Sequence, residues 1–186
     1  TSYSITVNAS DGTNNTTQSL TVSITNLNDN SPVMTSAASF TADENQTSVG
    51  TSTYSDADGA ISTYTFSLTG TDASSLSIDS SSGVITFNSA PDYETKTSYT
   101  VTVNINDGAN TTSQAMTIAI NNINEAPVFT SVTSFTVNEN QTSVGTASAT
   151  DEDGHTVTYS LTGTDASALS INSSSGVITF GSAPDY

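Results

Sequence analysis

The sequence predicts an all-β protein, a tandem array of seven-stranded Greek-key β-sandwiches stacked end to end. Apolar residues alternate with Ser, Thr and Asn in segments such as 99–105 and 157–161, and this period of two is typical of half-buried strands. Turn residues (Asp-Gly, Ser-Ser-Gly and Ala-Pro-Asp) separate these segments. The third observation is an internal repeat of about 95 residues.

Aligning the sequence with itself divides the chain into one complete repeat and two partial ones. Residues 1–30 match the C-terminal two strands of a repeat, residues 31–126 form a complete repeat, and residues 127–186 match the first five strands of a further repeat. The linkers N-L-N-D-N-S-P and N-I-N-E-A-P are too short for free rotation, so we expect neighbouring repeats to stack. The missing strands at each end would come from adjoining chain or from a neighbouring copy.

Strands are expected near 3–10 and 17–25 in the first partial repeat, and near 33–42, 47–55, 61–68, 75–79, 84–87, 98–106 and 113–121 in the complete one. A repeat of this length supports one modest core. Its predicted members are the apolar residues that alternate along these strands: Phe40, Val49, Tyr64, Phe66, Leu68, Leu76, Ile78, Val84, Ile85, Phe87, Tyr99, Val101, Val103, Met116, Ile118 and Ile120.

Composition excludes several classes of partner. The 186 residues include 18 acidic residues and a single basic one, with a formal charge of −17. Contacts to phosphate require cations, so nucleic acid and anionic membrane surfaces are excluded as partners. The absence of Cys excludes disulfides, zinc–thiolate sites and thiol catalysis. No segment is apolar enough to insert into a bilayer.

Most of the acidic residues recur in register between repeats. Asp56 and Asp58 in S-D-A-D-G return as Asp151 and Asp153 in T-D-E-D-G. The same relation holds for Glu44 and Glu139, Asp92 and Asp185, Asp11 and Asp107, and Asp29 and Glu125. Acids of a salt-adapted surface have no reason to keep register, whereas acids that converge on a shared cation do. Calcium takes roughly six to eight oxygen ligands from carboxylates, amides and carbonyls, so the pattern predicts calcium sites.

Six motifs recur in a consistent order. They are N-L-N-D-N-S-P (26–32), A-P-D-Y-E (90–94), N-I-N-D-G (104–108), P-V-F-T-S to S-V-G-T (127–146), T-D-E-D-G (150–154) and L-S-I-N-S-S-S-G-V-I-T (169–179). Together they resemble the cadherin-type calcium-binding tandem repeat of bacterial surface adhesins or fibres, and the resemblance covers the whole chain. It implies a cadherin or immunoglobulin-like sandwich with Ca²⁺ at each junction between successive repeats.

The resemblance also implies which residues hold calcium. At the first junction they are Asn26, Asn28, Asp29, Asn30, Asp56, Asp58 and Asp107. At the second they are Glu44, Asp92, Glu94, Asn122, Asn124, Glu125, Asp151 and Asp153. Asp11 belongs to an earlier junction, and Glu139 and Asp185 belong to a later one. Because Asn26 and Asn122 stand where the family has aspartate, either two or three ions per junction are expected.

These observations lead to a mechanical function. We expect an extracellular protein, on a cell surface or in a secreted matrix, in which calcium stiffens the spacer repeats of a long adhesin or fibre. Its partners are neighbouring repeats or copies of itself, with cell-surface or matrix glycans as a further candidate. Two alternatives stay open: a module that binds glycans or itself, and a filament whose subunits exchange strands.

Catalysis is not expected. Paired carboxylates serve glycosidases, but here they recur in every repeat without Trp or a recurring aromatic platform for a sugar. His155 is interpreted as an exposed, incidental loop residue and Lys96 as a lone surface charge. The remaining acids are interpreted as solvated turn or surface groups: Asp43, Asp72, Asp79, Glu152 and Asp165.

Overall fold

The computed structural model of the chain describes residues 1–59 and 63–186 and confirms the all-β fold. The described residues form sixteen strands and two 3₁₀ turns, Ala73–Ser75 and Ala166–Ala168. The strands are β1 (Ser2–Ser10), β2 (Asn15–Ser23), β3 (Val33–Met34), β4 (Ser39–Asp43), β5 (Ser48–Thr51), β6 (Tyr54–Ser55), β7 (Thr65–Thr69), β8 (Leu76–Ile78), β9 (Val84–Phe87), β10 (Ser98–Asn106), β11 (Thr111–Asn121), β12 (Val128–Phe129), β13 (Ser143–Thr146), β14 (Ala149–Thr150), β15 (Leu169–Ile171) and β16 (Val177–Phe180). The chain divides into two compact units, Thr1–Asn121 and Asn122–Tyr186. Within the described ranges, no helix has the length and apolar character needed to cross a membrane.

The first unit begins with an antiparallel hairpin of β1 and β2. Ser2 pairs with Ser23, and the pairing continues without interruption to the turn. Gly12 in this turn has a φ of 91°, a conformation that glycine adopts at no steric cost. Every residue of both strands is exposed, so the hairpin presents both of its faces to solvent.

A two-layer sandwich follows the hairpin. One layer is a four-stranded sheet in the order β4-β11-β10-β7, in which β4 lies parallel to β11 and the other pairs are antiparallel. The three-stranded sheet β5-β9-β8 faces it, and β3 pairs with β6. The layers meet through contacts such as the edge-to-face packing of Phe87 on Tyr99, whose ring centroids are 4.9 Å apart.

Two of the predicted strands are each divided in two. The strand expected at 33–42 becomes β3 and β4, because β3 pairs with β6 whereas β4 pairs with β11. The strand expected at 47–55 similarly becomes β5 and β6. Counting each divided strand once gives the expected seven. Residues 61 and 62 of the strand predicted at 61–68 lie outside the described residues, and the strand that forms there, β7, begins at Thr65.

The core lies between the two layers. Its buried apolar side chains are Ala42, Phe66, Leu76, Ile85, Phe87, Val101, Val103, Ile105, Met116, Ile118 and Ile120. The prediction is wrong for Val84, which is 42% exposed. Alternate side chains of a strand point to opposite faces, and on β9 the inward positions belong to Ile85 and Phe87. The prediction also omits Ala42 and Ile105.

The second unit repeats part of this arrangement. β12 pairs with β14 as β3 pairs with β6, and β13-β16-β15 form a three-stranded sheet like β5-β9-β8. Residues 134–138 and 157–161, all of them described, form no strand although the alternation predicts one in each place. Their counterparts are β4 and the β7 region, which pair with β11 and β10. Strands β10 and β11 form a hairpin of which the second unit, residues 122–186, contains no copy. Residues 134–138 and 157–161 therefore lack the strands with which they would pair.

Asp72 and Lys96 form an ion pair, which corrects their interpretation as separate surface charges. Lys96 Nζ lies 2.5 Å from Asp72 Oδ1 and 4.4 Å from the centroid of the Tyr99 ring. Asp72 is 9% exposed and accepts a hydrogen bond of 2.8 Å from the Thr100 amide. The Lys96 side chain and, after it, the Thr100 amide lower the pKa of the Asp72 carboxyl. The pair therefore ties the 3₁₀ turn at Ala73–Ser75 to β10.

Candidate metal centre

The residues expected at the first junction lie together in the first unit, on three connections between strands. The linker between β2 and β3 carries Asn26, Asn28, Asp29 and Asn30, the loop after β6 carries Asp56 and Asp58, and the turn after β10 carries Asp107. We call these seven residues the linker cluster. Hydrogen bonds between the three connections hold the cluster together.

Asp58 is the main acceptor for the linker. The amides of Asp29 and Asn30 donate to Asp58 Oδ2 at 3.0 and 2.7 Å, and Asn30 Nδ2 donates to Asp58 Oδ1 at 2.6 Å. Asn26 Nδ2 donates to the Asp58 carbonyl at 2.7 Å. The Asn30 amide is the largest cause of the lowered pKa of the Asp58 carboxyl. The carboxylate is therefore held in its charged form against the linker.

Asp107 is fully buried, at 0% exposure. Its Oδ1 accepts hydrogen bonds from the amides of Ala109 and Asn110 at 2.8 and 2.6 Å. The Asn110 amide is the largest cause of the lowered pKa of the Asp107 carboxyl, and it acts against the opposing effect of burial. Asn28 Nδ2 donates to the Asp107 carbonyl at 3.0 Å, which brings the linker directly onto this turn.

Asp11 makes the same turn in the first hairpin, where it is exposed. Its Oδ1 accepts hydrogen bonds from the amides of Thr13 and Asn14 at 2.9 and 2.7 Å. The Asn14 amide is the largest cause of its lowered pKa. The turn chemistry of this aspartate therefore does not require burial. Asp107 differs from Asp11 in being buried and in contacting the linker.

Three oxygens of the linker cluster are buried and have no hydrogen-bond partner among the described residues: Asn28 Oδ1, Asp56 Oδ2 and Asp107 Oδ2. Burying such atoms without a partner costs free energy. Asn28 adjoins Asp107 through its hydrogen bond, and the Asp58 amide donates to Asp56 Oδ1 at 2.8 Å. Carboxylate and amide oxygens are the ligands that calcium takes in proteins. The residues present therefore fit a calcium ion, both in donor type and in the atoms they leave unsatisfied.

A second group of carboxylates in the first unit consists of Glu44, Asp92 and Glu94. Each offers an oxygen, and the three oxygens lie within 4.8 Å of one another. Glu44 is buried and accepts a hydrogen bond of 2.8 Å from the Tyr93 amide. The Thr95 hydroxyl, which donates to Asp92, is the largest cause of the lowered pKa of that carboxyl. The structure thus brings together the three carboxylates that the resemblance assigns to the complete repeat.

Asn122, Asn124 and Glu125 begin the second unit on the segment before β12. Asn124 Nδ2 donates to the Glu125 carbonyl at 2.9 Å. The Glu125 amide donates to Asp153 Oδ2, also at 2.9 Å. Its counterpart in the linker cluster is the bond from the Asp29 amide to Asp58 Oδ2. Each of the two linkers therefore donates a backbone amide to the second aspartate of the Asp-x-Asp loop that follows it.

His155 lies beside the Asp-x-Asp loop of the second unit. Its Nδ1 is 3.3 Å from Asp151 Oδ1 and 3.8 Å from Asp153 Oδ2, and the three side chains could hold a metal ion. The side chain is exposed as expected, but its position next to both carboxylates was missed. The signal available in the sequence was its place two residues after Asp153 in a turn.

Glu139 and Asp185, expected at a later junction, are both exposed in the second unit. Glu139 Oε2 accepts a hydrogen bond of 3.1 Å from the Tyr186 amide. The same bond joins Glu44 to Tyr93 in the first unit. The recurrence of these glutamates in the sequence therefore corresponds to a recurring contact.

Comparisons with known proteins agree with this architecture. Residues 38–121 match the family model of the cadherin domain. Human Protocadherin-24 EC1-2 (Form II) is 21% identical with a TM-score of 0.61, over 84% of this chain and 80% of that one. Human CDH23 EC21-23 is 22% identical with a TM-score of 0.61, over 99% and 65%. The Protocadherin GammaB4 extracellular domain is 22% identical with a TM-score of 0.57, over 99% and 35%. At these identities the likeness shows the fold.

A curated relative, Chitinase A of Pseudoalteromonas piscicida, is 40% identical over 73 residues, or 38% of this chain. The matched stretch is 9% of the length of the chitinase. The similarity therefore concerns a small part of that protein.

Proposed function

The chain contains a cadherin domain at residues 38–121, and from this premise we propose that its repeats are calcium-stiffened spacers of a long adhesin or fibre. Cadherin domains are extracellular modules of the adhesion type. We further propose that the protein is bacterial, that it stands on a cell surface or in a secreted matrix, and that it is not an enzyme. The bacterial source of the similar chitinase stretch supports the first of these points.

The observation that carries the proposal is the set of three buried oxygens without partners in the linker cluster. Asn28, Asp56 and Asp107 would hold the ion through these oxygens. A bound Ca²⁺ supplies the positive charge that offsets carboxylate repulsion, which amounts to about 1 kcal/mol for a pair 4 Å apart in water and more where water is excluded. Neutralising the cluster stabilises the linker in the position that the hydrogen bonds to Asp58 and Asp107 define.

Residues of the chain itself already orient the end of the linker. Thr112 Oγ1 donates to the Pro32 carbonyl at 2.5 Å, and Asn110 Nδ2 donates to the Asn30 carbonyl at 3.2 Å. These bonds attach the linker to β11 and to the turn that precedes it. A linker held through both its amides and its carbonyls transmits the orientation of one repeat to the next, which is what a spacer requires.

We extend the proposal to the other residues by sequence equivalence. A second junction would use Glu44, Asp92, Glu94, Asn122, Asn124, Glu125, Asp151 and Asp153, an earlier one Asp11, and a later one Glu139 and Asp185. The hydrogen bonds that recur between the repeats support this extension. The alternative of glycan binding has no support in the family match or in the structural neighbours.

Calcium titration of the 186-residue chain by calorimetry tests the proposal. We expect a dissociation constant of roughly 10⁻⁴–10⁻³ M, the range of extracellular calcium modules. Asp107→Asn keeps Oδ1 as the acceptor of the turn and removes the charge, so we expect about tenfold weaker binding or more at the first junction. The matched control is Asp79→Asn, because Asp79 Oδ1 likewise accepts hydrogen bonds from two turn amides, those of Ser81 and Ser82. Asp79 belongs to no proposed calcium site, so this change should leave that affinity unchanged.

The stiffening itself is measured by small-angle scattering with calcium and with chelator. The maximum dimension of the chain should decrease in chelator, and Asp107→Asn should show the decrease at calcium concentrations where the unsubstituted chain does not. A wild-type chain that binds no calcium, or equal loss of affinity in Asp79→Asn and Asp107→Asn, would falsify the assignment of the linker cluster.

A further inference from the structure

The Asp-x-Asp loop of the second unit carries a histidine that the loop of the first unit does not. The loop reads D-E-D-G-H over 151–155, and the preceding repeat has D-A-D-G-A over 56–60. His155 is the single histidine of the sequence. Calcium takes oxygen ligands, whereas zinc and related transition metals also bind imidazole nitrogen. The histidine therefore adds to this loop a donor that the calcium assignment does not use.

The imidazole of His155 is turned toward both carboxylates of the loop. Its Nδ1 lies 3.3 Å from Asp151 Oδ1 and 3.8 Å from Asp153 Oδ2. Ligand atoms that lie about 2.0–2.1 Å from one tetrahedral zinc ion are about 3.3–3.4 Å from one another. The first distance has this value and the second approaches it. Each of the three residues offers a ligand atom within 4.8 Å of the other two, so one ion can contact all three after a small rotation of the ring.

The two carboxylates are held in place, whereas the imidazole is free to adjust. The side chains of Asp151 and Asp153 are 6% and 3% exposed, and that of His155 is 63% exposed. The His155 amide donates to Asp151 Oδ1 at 2.9 Å, and the Glu125 amide donates to Asp153 Oδ2 at 2.9 Å. A carboxylate that accepts one such bond keeps further lone pairs for a metal. The oxygens are thus preorganised, and the exposed ring can close over an ion.

The burial of Asp151 and Asp153 side by side favours a cation between them. Charges withdrawn from water need a partner of opposite sign. Two like charges at this separation repel each other, the more so where water is excluded. A neutral imidazole supplies no charge, whereas a dication bound between its nitrogen and the two carboxylates supplies two. The electrostatics of the loop therefore point to a divalent ion.

The first unit uses the second aspartate of its loop differently. Asn30 Nδ2 donates to Asp58 Oδ1 at 2.6 Å, and the Asn30 amide donates to Asp58 Oδ2 at 2.7 Å. In the second linker Ala126 stands where the first has Asn30, and alanine has no side-chain donor. The carboxylate that an asparagine side chain holds in the first unit therefore faces an imidazole in the second. Both replacements favour an ion with a nitrogen ligand in the second loop.

We propose that Asp151, Asp153 and His155 form a site for a divalent transition metal, with Zn²⁺ as its ion. The ion takes one oxygen of each carboxylate and Nδ1 of the imidazole, and water completes its four ligands, as in other zinc sites with three protein ligands. The ring binds as the tautomer that carries its proton on Nε2. The two carboxylates are shared with the calcium proposal, but this inference does not rest on it, because all three ligands belong to one loop.

Calorimetric titration of the 186-residue chain with Zn²⁺ in calcium-free buffer tests the site. His155→Ala introduces the residue that the preceding repeat has at this place. Loss of an outer-shell partner of a metal ligand already costs about 10–100-fold in affinity, so we expect loss of the ligand itself to weaken Zn²⁺ binding about tenfold or more. Equal Zn²⁺ affinity of this variant and the wild-type chain overturns the proposal.

Matched variants of the two loops separate this site from general attraction of Zn²⁺ to an acidic chain. Asp151→Asn and Asp56→Asn make the same change at equivalent positions of the two loops. We expect the first to weaken Zn²⁺ binding about tenfold or more, because it removes the charge of a ligand, and the second to leave it unchanged. Equal losses in the two variants would assign the binding to overall charge and overturn the proposal.

The single imidazole provides a spectroscopic readout that a merely structural histidine would not move. Correlation spectra of the ¹⁵N-labelled chain resolve the Nδ1 and Nε2 resonances of His155. We expect saturating Zn²⁺ to shift the Nδ1 resonance as a metal ligand while Nε2 keeps its proton, and we expect the same concentration of Ca²⁺ to produce no such change. Zinc binding without a change at the imidazole, or coordination through Nε2, overturns the proposal.

The same variants distinguish a failure of this inference from a failure of the calcium proposal. Asp107→Asn should leave both Zn²⁺ affinity and the imidazole shift at their wild-type values, because Asp107 is no ligand of this site. A wild-type chain that binds Ca²⁺ but shows no Zn²⁺-dependent imidazole shift overturns the zinc site alone. A chain that shows the shift but binds no Ca²⁺ retains the zinc site and overturns the calcium proposal alone.

Discussion

The second unit and the sandwich of the first unit share their sequence pattern but differ in which segments become strands. Residues 158–162 alternate as β7 does, yet only β7 forms a ladder. The difference is the hairpin β10–β11, which pairs with β7 and β4. An extended segment without a partner leaves its backbone groups to water and gains no ladder. Alternation therefore indicates where a strand can form, and the partner decides whether it does.

The hairpin β1–β2 shows the converse. Its two strands pair along their whole length although every residue is exposed. Here the partner is adjacent in sequence and joined by a tight turn, so pairing does not wait for a second layer. Backbone pairing and burial of side chains are thus separate events in this chain, and in β10–β11 both occur.

The largest expected difference concerns hydrogen exchange. At concentrations where the chain is monomeric, we expect amides of β4 and β7 to be protected by free energies approaching that of global unfolding, about 5 kcal/mol or more. Most amides of residues 134–138 and 158–162 should exchange at nearly the rate of an unfolded chain; the exception is Tyr159, whose amide donates to the Ser173 carbonyl. Exchange measured by mass spectrometry on peptides from both regions checks this. Equal protection of the two regions would contradict the dependence of these strands on a partner.

A smaller effect is expected from truncating equivalent residues of the two hairpins. Ile118 is 0% exposed and its counterpart Val22 is 47% exposed. Ile118→Ala should lower the free energy of unfolding by about 2–5 kcal/mol, because it leaves a cavity in the core. Val22→Ala should change it by less than about 1 kcal/mol, as surface substitutions do. Urea unfolding of both variants measures the difference, and similar losses would show that the first hairpin is packed against another layer.

The smallest effect concerns Asp72 and its counterpart Asp165. Asp72→Ala removes the acceptor of the Thr100 amide and the partner of Lys96, which should cost about 1–3 kcal/mol at neutral pH. Asp165 is exposed, so Asp165→Ala is the control, with a change within about 0.5 kcal/mol. Thermal unfolding of the two variants provides the comparison.

The ion pair of Asp72 and Lys96 predicts that the stability of the folded state depends on pH. Because Lys96 lowers the pKa of Asp72 in the folded state, the stabilisation is fully present above the unfolded pKa of about 4. It is lost as the pH falls through the lower folded pKa. The difference in stability between the wild-type chain and Asp72→Ala should therefore shrink in this acidic range. A difference that persists unchanged at the lowest pH would exclude the ion pair as its source.

Much of the fold followed from local patterns. The period of two and the turn residues identified β1, β2, β10 and β11, since each of these strands has a partner next to it in sequence. The divided strands were not anticipated, because β3 and β4 change sheets through pairings with segments distant in the chain. Val84 was misassigned to the core because its neighbours on β9 take the inward positions.

The sequence predicted which residues form the linker cluster, but it did not predict every contact around the candidate sites. The recurring spacing of acids selected the residues of the linker cluster, and the structure brings them together through Asp58 and Asp107. The binding of calcium there stays a prediction. The pairing of Asp72 with Lys96 was missed because it joins two connections distant in sequence. The position of His155 beside Asp151 was missed although both lie in one loop, because the preceding repeat has no histidine at this place.

The sequence by itself determined the class of fold and the register of the repeated acids, because alternation, turn residues and spacing are local properties that are written once in each repeat. Only the tertiary structure decided which alternating segments became strands and which acids became buried. Both outcomes depend on segments from elsewhere in the chain: β4 and β7 form their ladders with β10–β11, and Asp107 is buried where the linker contacts its turn, whereas its counterpart Asp11 is exposed.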